Sequence, residues 1–196
     1  MIKKLFSIFI CFFLLTESLY AIENNSLSIG NQNSKITIKV FSSLTCPHCA
    51  SFHKKIFDNL KKEYIDKNKV RFEHRSFPLD LAALNAEKLL RCIEDKEKSF
   101  KLLSKVYENQ NQWAVGSDIN KINESIKKIG ISFKIDPKKI DECLNDEKTQ
   151  DIILNERIEA QKNYKITSTP TIYINEKQYN GKHEFKEFRK ALEKLL

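Results

Sequence analysis

With 196 residues, 41% hydrophobic and 31% charged, the chain can bury the core of one domain or of one domain carrying an insertion, but not those of two independent ones. The 34 Lys and Arg outnumber the 26 Asp and Glu, giving a formal charge of +8. Both signs alternate through Glu94-Asp95-Lys96-Glu97-Lys98, however, which describes solvated helix faces and argues against a nucleic-acid groove. The absence of Gly-rich or repeated segments argues against a solenoid or a long linker.

Lys3 and Lys4 precede a mostly apolar run from Leu5 to Leu15, followed by Thr16-Glu17-Ser18 and Ala21. A basic start and an apolar stretch short for a bilayer read as a signal peptide over residues 1–21, leaving 22–196 as the folded domain. Leu19 stands where cleavage prefers a small residue, so an uncleaved membrane anchor is the alternative. Phe9 and Ile10 before Cys11 are too bulky for a lipoprotein signal.

Ile36 to Phe41 reads as a buried strand that leads through Ser42-Ser43-Leu44-Thr45 into Cys46-Pro47-His48-Cys49. From Pro47, which suits a first helical turn, Phe52, Ile56, Phe57, Leu60 and Tyr64 recur at helical spacing. Val70 to Phe77 is a second strand, ended by Pro78, and together these segments make a βαβ unit with a parallel pair. Amphipathic helices follow at Leu81–Ile93, Phe100–Tyr107, Ile119–Ile129, Ile140–Leu144 and Ile152–Tyr164, with turns expected at Asn109–Ser117 and Gly130–Pro137. Thr171 to Ile174 returns to strand, Asn175-Glu176-Lys177 turns, Gln178-Tyr179 begins a partner strand, and Glu184 to Leu196 closes as a helix.

Cys46 is placed at a helix N-terminus, where unpaired N–H groups and the helix dipole stabilise a thiolate, the reactive form of a thiol. Cys49 lies one turn deeper, within reach for a disulfide with Cys46. If Cys11 leaves with the signal, four cysteines remain: Cys46, Cys49, Cys92 and Cys143. In an exported protein that number suggests one redox disulfide and one structural disulfide. Two buried thiols at Cys92 and Cys143 are the alternative there; zinc, which favours paired C-x-x-C halves, is disfavoured, so no metal is expected. His53, His74 and His183 read as ordinary surface or hydrogen-bonded histidines, and Trp113 as core or groove lining.

Thr169-Pro170 before the returning strand completes a pattern. A C-x-x-C at a strand-to-helix turn, a later X-Pro before a hairpin, and the phrases Cys-Pro-His-Cys and Ser168-Thr169-Pro170-Thr171 resemble the DsbA family of thiol:disulfide interchange proteins. The resemblance covers about residues 35–196 and implies an α/β thioredoxin-like fold with a helical insertion at about 79–165. It implies an enzyme whose only redox group is the Cys46–Cys49 disulfide, with no separate cofactor. Pro47 and His48 would tune the nucleophile, and Thr169 and Pro170, the latter in a cis peptide bond, would pair with an extended client segment. The family's second disulfide, where present, ties the helical block, which points to Cys92 with Cys143. The implied setting is the periplasm, with reduced client proteins as partners, a membrane quinone-linked thiol oxidase for reoxidation, no nucleic acid, and a monomeric state. Two departures stand out. Val40 occupies the position six residues before the nucleophile where many relatives bury an acid, and Thr169 resembles the isomerase and reductase relatives rather than the best-known oxidases. An isomerase or reductase kept reduced by a membrane donor is therefore the second reading, and a thiol-dependent binding or metal-delivery module without turnover the third.

Overall fold

The computed structural model describes residues 26–196, so the expected signal peptide lies outside the described residues. Five strands form one sheet in the order β1-β3-β2-β4-β5: β1 (Leu27–Ile29), β2 (Ile36–Ser42), β3 (Val70–Ser76), β4 (Thr171–Ile174) and β5 (Lys177–Gln178). Only β2 and β3 run parallel, with Ile38 opposite Phe72 and Val40 opposite His74; the remaining pairs are antiparallel. The fold is the expected thioredoxin-like α/β arrangement. β1 is an addition to the sequence reading, which placed the first strand at Ile36; its two inward residues, Leu27 and Ile29, are too few to establish a period.

Both faces of the central strand β2 are covered, although Thr37 and Lys39 share the second face with Phe41. Ile36, Ile38 and Val40 join the main core, while Phe41 packs with Phe77, Ala160 and Ile166 on the opposite side. A helical rod links β2 to β3. It comprises α1 (Pro47–Phe52), a π-helical stretch at His53–Phe57, α2 (Asp58–Leu60) and a second π-helical stretch at Lys61–Ile65. Phe57 on this rod stacks on Phe100 at 5.4 Å between ring centroids and meets Phe72 edge-on at 5.1 Å.

Six helices lie between β3 and β4: α3 (Leu81–Arg91), α4 (Lys96–Glu108), α5 (Gln110–Trp113), α6 (Ile119–Ser132), α7 (Pro137–Asn145) and α8 (Glu147–Asn163). Asp80, Asp95, Asp118, Asp136 and Asp146 cap α3, α4, α6, α7 and α8, each carboxylate accepting a backbone N–H two or three residues on. Such caps contribute about 1 kcal/mol each. Cys92, at the end of α3, is disulfide-bonded to Cys143 in α7.

Two expected turns differ. The Asn109–Ser117 segment holds the short helix α5, anchored by the buried Trp113, whose indole N–H donates to the Val106 carbonyl at 2.8 Å. Gly130 lies in the last turn of α6 rather than beyond its end. Its missing side chain lets α7 approach, since a Cβ there would sit 2.7 Å from Ile140 Cδ1 and 3.0 Å from Leu89 Cδ1.

A buried polar layer joins β3 to α3 and α8. His74 Nε2 lies 2.7 Å from Glu87 Oε1, the Ser76 hydroxyl donates to Glu87 Oε2 at 2.9 Å, and Arg91 pairs with Glu156 at 2.7 Å. Burial of such groups is tolerated only when they satisfy one another. The chain closes with α9 (Phe185–Glu193), which packs Phe188 against Phe52 and Tyr179.

Candidate active site

β2 delivers Ser43, Leu44 and Thr45 to the start of α1, and Cys46 stands at its N-cap with extended backbone angles and Pro47 in the first turn. Unlike the Asp-capped helices, α1 has no side-chain cap, so its first N–H groups are left for the Cys46 sulfur. Pro47 and His48 are exposed, while Cys46 and Cys49 are buried and unbonded to each other.

From the far end of the chain, β4 brings Thr169 and Pro170 against the pair, with the Thr169–Pro170 peptide bond cis. The Cys46 thiol donates to the Thr169 carbonyl at 3.4 Å. The Thr169 hydroxyl is buried without a hydrogen-bond partner and lies within reach of both sulfurs. β4 is fixed to β2 at its other end as well. Asn175, in a left-handed turn conformation, donates its N–H to the Thr37 carbonyl at 2.7 Å and accepts from the Thr37 N–H at 2.9 Å through its side chain.

These surroundings pull the two thiols apart in acidity. The Cys46 pKa is lowered to about 5, chiefly because the Cys49 thiol donates to its thiolate; burial opposes this, and the Thr169 hydroxyl and the N–H groups of Cys49 and His48 add to it. Burial pushes the Cys49 thiol strongly upward, and the neighbouring Cys46 charge reinforces that shift. The arrangement therefore provides one ready thiolate and one reserve thiol beneath it.

Two residues beside the pair, Gln110 and Tyr107, were not singled out from the sequence, whereas the histidines read there as ordinary ones. Gln110 of α5 donates through Nε2 to the carbonyls of Leu44 and Cys46. Tyr107 is buried behind the cysteines, and burial holds its phenol well above the usual range. His53 and His74 are both buried. His53 Nε2 lies 2.8 Å from the Ser104 hydroxyl, with its ring stacked on Phe57 at 4.4 Å, and burial followed by the nearby His74 lowers its pKa to about 3. His183 meets Phe52 edge-on at 5.3 Å, and partial burial, then His48 and Lys55, lower its pKa. Val40 leaves β2 without an acid, but its neighbour on β3, His74, pairs with the buried Glu87, an acid supplied by the insertion.

The model of the thioredoxin family matches residues 23–194. A Rickettsia typhi protein named as a protein-disulfide oxidoreductase is 35% identical over 161 residues, covering 82% of this chain. The chain spans only 58% of that relative's length. Disulfide bond formation protein D of Bacillus subtilis is 27% identical over 180 residues, covering 86% of this chain and 76% of that one. Among solved structures, alpha-DsbA1 of Wolbachia pipientis is similar with a TM-score of 0.80 at 29% identity, over 87% of this chain and 90% of that one. With the C-x-x-C at the head of α1 facing a cis-proline loop, the chain belongs to the DsbA-like branch of the thioredoxin family.

Proposed function

We propose that the chain is an exported thiol:disulfide oxidoreductase that introduces disulfides into reduced client proteins through Cys46 and Cys49. The observation that carries this reading is the acidic Cys46 at the uncapped head of α1, because a thiolate stabilised in the reduced enzyme makes the corresponding disulfide oxidising. The names of the relatives as protein-disulfide oxidoreductase and disulfide bond formation protein support the same chemistry.

In the oxidised enzyme a client thiolate attacks Cys46 Sγ. The Cys46–Cys49 bond breaks, Cys49 leaves with the electron pair and takes up a proton, and a client–Cys46 mixed disulfide forms. A second client thiolate then attacks the client sulfur and expels Cys46 as its thiolate. The client loses two electrons and two protons, and the enzyme disulfide becomes a dithiol. His48 and Pro47, exposed beside Cys46, tune its leaving ability, and Thr169 and Pro170 hold the client segment in an extended form. Return to the disulfide requires an external oxidant, for which a membrane quinone-linked thiol oxidase is the proposed partner.

Thr169 favours a second reading, an isomerase or reductase kept reduced by a membrane donor. Equilibration of the purified protein with glutathione buffers separates them. A potential well above about −270 mV, the thioredoxin value, supports the oxidase; a value near it overturns that reading in favour of the second.

A further inference from the structure

The head of α1 has no side-chain cap, so the backbone of its N-cap, Cys46, is held by backbone bonds. Its N–H donates to the Ser43 carbonyl at 3.1 Å, and its carbonyl accepts from the N–H groups of Cys49 and Ala50 at 3.1 and 3.2 Å. A further donor reaches the same carbonyl from the helical insertion. Gln110 Nε2 lies 3.1 Å from the Cys46 oxygen and 2.7 Å from the Leu44 oxygen. A primary amide nitrogen carries two hydrogens, and both are committed to the segment that holds the nucleophile.

The strut behind this contact is firm. Gln110 opens α5, directly after Asn109, whose carbonyl accepts from Trp113 N–H at 3.2 Å and whose side chain donates to the Lys105 carbonyl at 2.8 Å. Trp113 is buried and tied to Val106, so α5 cannot shift without disturbing α4. Leu44 is fully buried, which makes the donor to its carbonyl costly to lose.

We propose that Gln110 is a positioning residue for Cys46: by bridging the Leu44 and Cys46 carbonyls it holds the head of α1 in the orientation that turns the His48 and Cys49 N–H groups toward the sulfur, and so sets how oxidising the cysteine pair is. The inference rests on the redox reading of Cys46 and gives the insertion a part in the chemistry.

The test compares wild type with Q110M, which keeps the length and loses both donors, and Q110E, which sets a carboxylate against two carbonyl oxygens. N111A, an exposed neighbour, serves as control. Thiolate ultraviolet absorbance against pH and equilibrium with glutathione are measured for each, with denaturant unfolding alongside. In Q110M the ionisation midpoint of Cys46 rises by about half to one pH unit, and the glutathione equilibrium moves roughly three- to tenfold toward the protein disulfide. Q110E shifts further, and its excess over Q110M shrinks as the carboxyl protonates at lower pH. N111A matches wild type. If Q110M and Q110E lose only stability, or fail to fold, while no folded variant departs from the wild-type midpoint and glutathione equilibrium, Gln110 is a structural residue and the proposal falls. A wild-type protein that does not exchange with glutathione overturns the redox reading separately, and the absorbance titration still decides the role of Gln110.

Discussion

The Cys46 thiol and the Thr169 carbonyl meet at 3.4 Å although 123 positions separate them in the chain. The contact exists in the reduced protein, where the Cys46 pKa is lowered from 9.0 to about 5. A group whose folded pKa is depressed contributes stability that is complete above its unfolded value and vanishes as pH falls through the folded one. The reduced form should therefore gain stability over a Cys46→Ser variant as pH rises from about 5 toward 9. Chemical unfolding of both proteins across that range measures it; a difference independent of pH would contradict the acidic thiolate.

Cys49 is the foremost cause of the low Cys46 pKa, so Cys49→Ala should raise the ionisation midpoint above about 5. The same variant leaves Cys46 exposed to client disulfides with nothing beneath it to resolve the adduct. Incubated with a peptide disulfide, C49A should accumulate a mixed disulfide visible by intact mass, whereas C46S should form none at this site.

The Cys92–Cys143 bond spans a separation of 51 residues within the insertion. On the chain-entropy estimate, C92A/C143A should lose about 4 kcal/mol in urea unfolding. The glutathione equilibrium of Cys46 and Cys49 should stay at its wild-type value, because the second bond joins α3 to α7 and touches neither cysteine of the pair.

His53 is neutral in the folded protein, with its pKa lowered from 6.5 to about 3 by burial and then by His74. The unfolded chain binds a proton there as pH falls below 6.5 while the folded chain does not, so stability declines with acid. Between pH 6.5 and 5 this group alone should account for about 2 kcal/mol. Subtracting the pH profile of a His53→Gln variant from that of wild type isolates the contribution; parallel profiles would show that His53 does not titrate differently on folding.

Much of the site is legible in the sequence because its signals are local. A C-x-x-C after a β-branched run, Pro47 at a helix start and Thr169-Pro170 before a strand each declare their backbone setting within a few residues. The same holds for the Asp caps of the insertion helices. What escaped depends on partners distant in the chain. Gln110 lies in the polar run Asn109-Gln110-Asn111-Gln112, and nothing local distinguishes it from its neighbours until the Leu44 carbonyl is beside it. His74 and Glu87 look like surface residues of a strand and a helix, and only the packing of α3 on β3 buries them together. Gly130 reads as punctuation, yet the approach of Ile140 explains why a glycine stands there in the last turn of α6.

The insertion between β3 and β4 also fixes a temporal order. The nucleophile is complete once residue 49 has been made, but the loop it faces follows only after the whole helical block. A chain that emerges N-terminus first therefore presents Cys46 and Cys49 before Thr169 and Pro170 arrive, while Cys92 and Cys143 emerge in between. During that interval the thiols of Cys46, Cys49, Cys92 and Cys143 stand on one unfinished chain, and the loop that will face the nucleophile has not yet arrived.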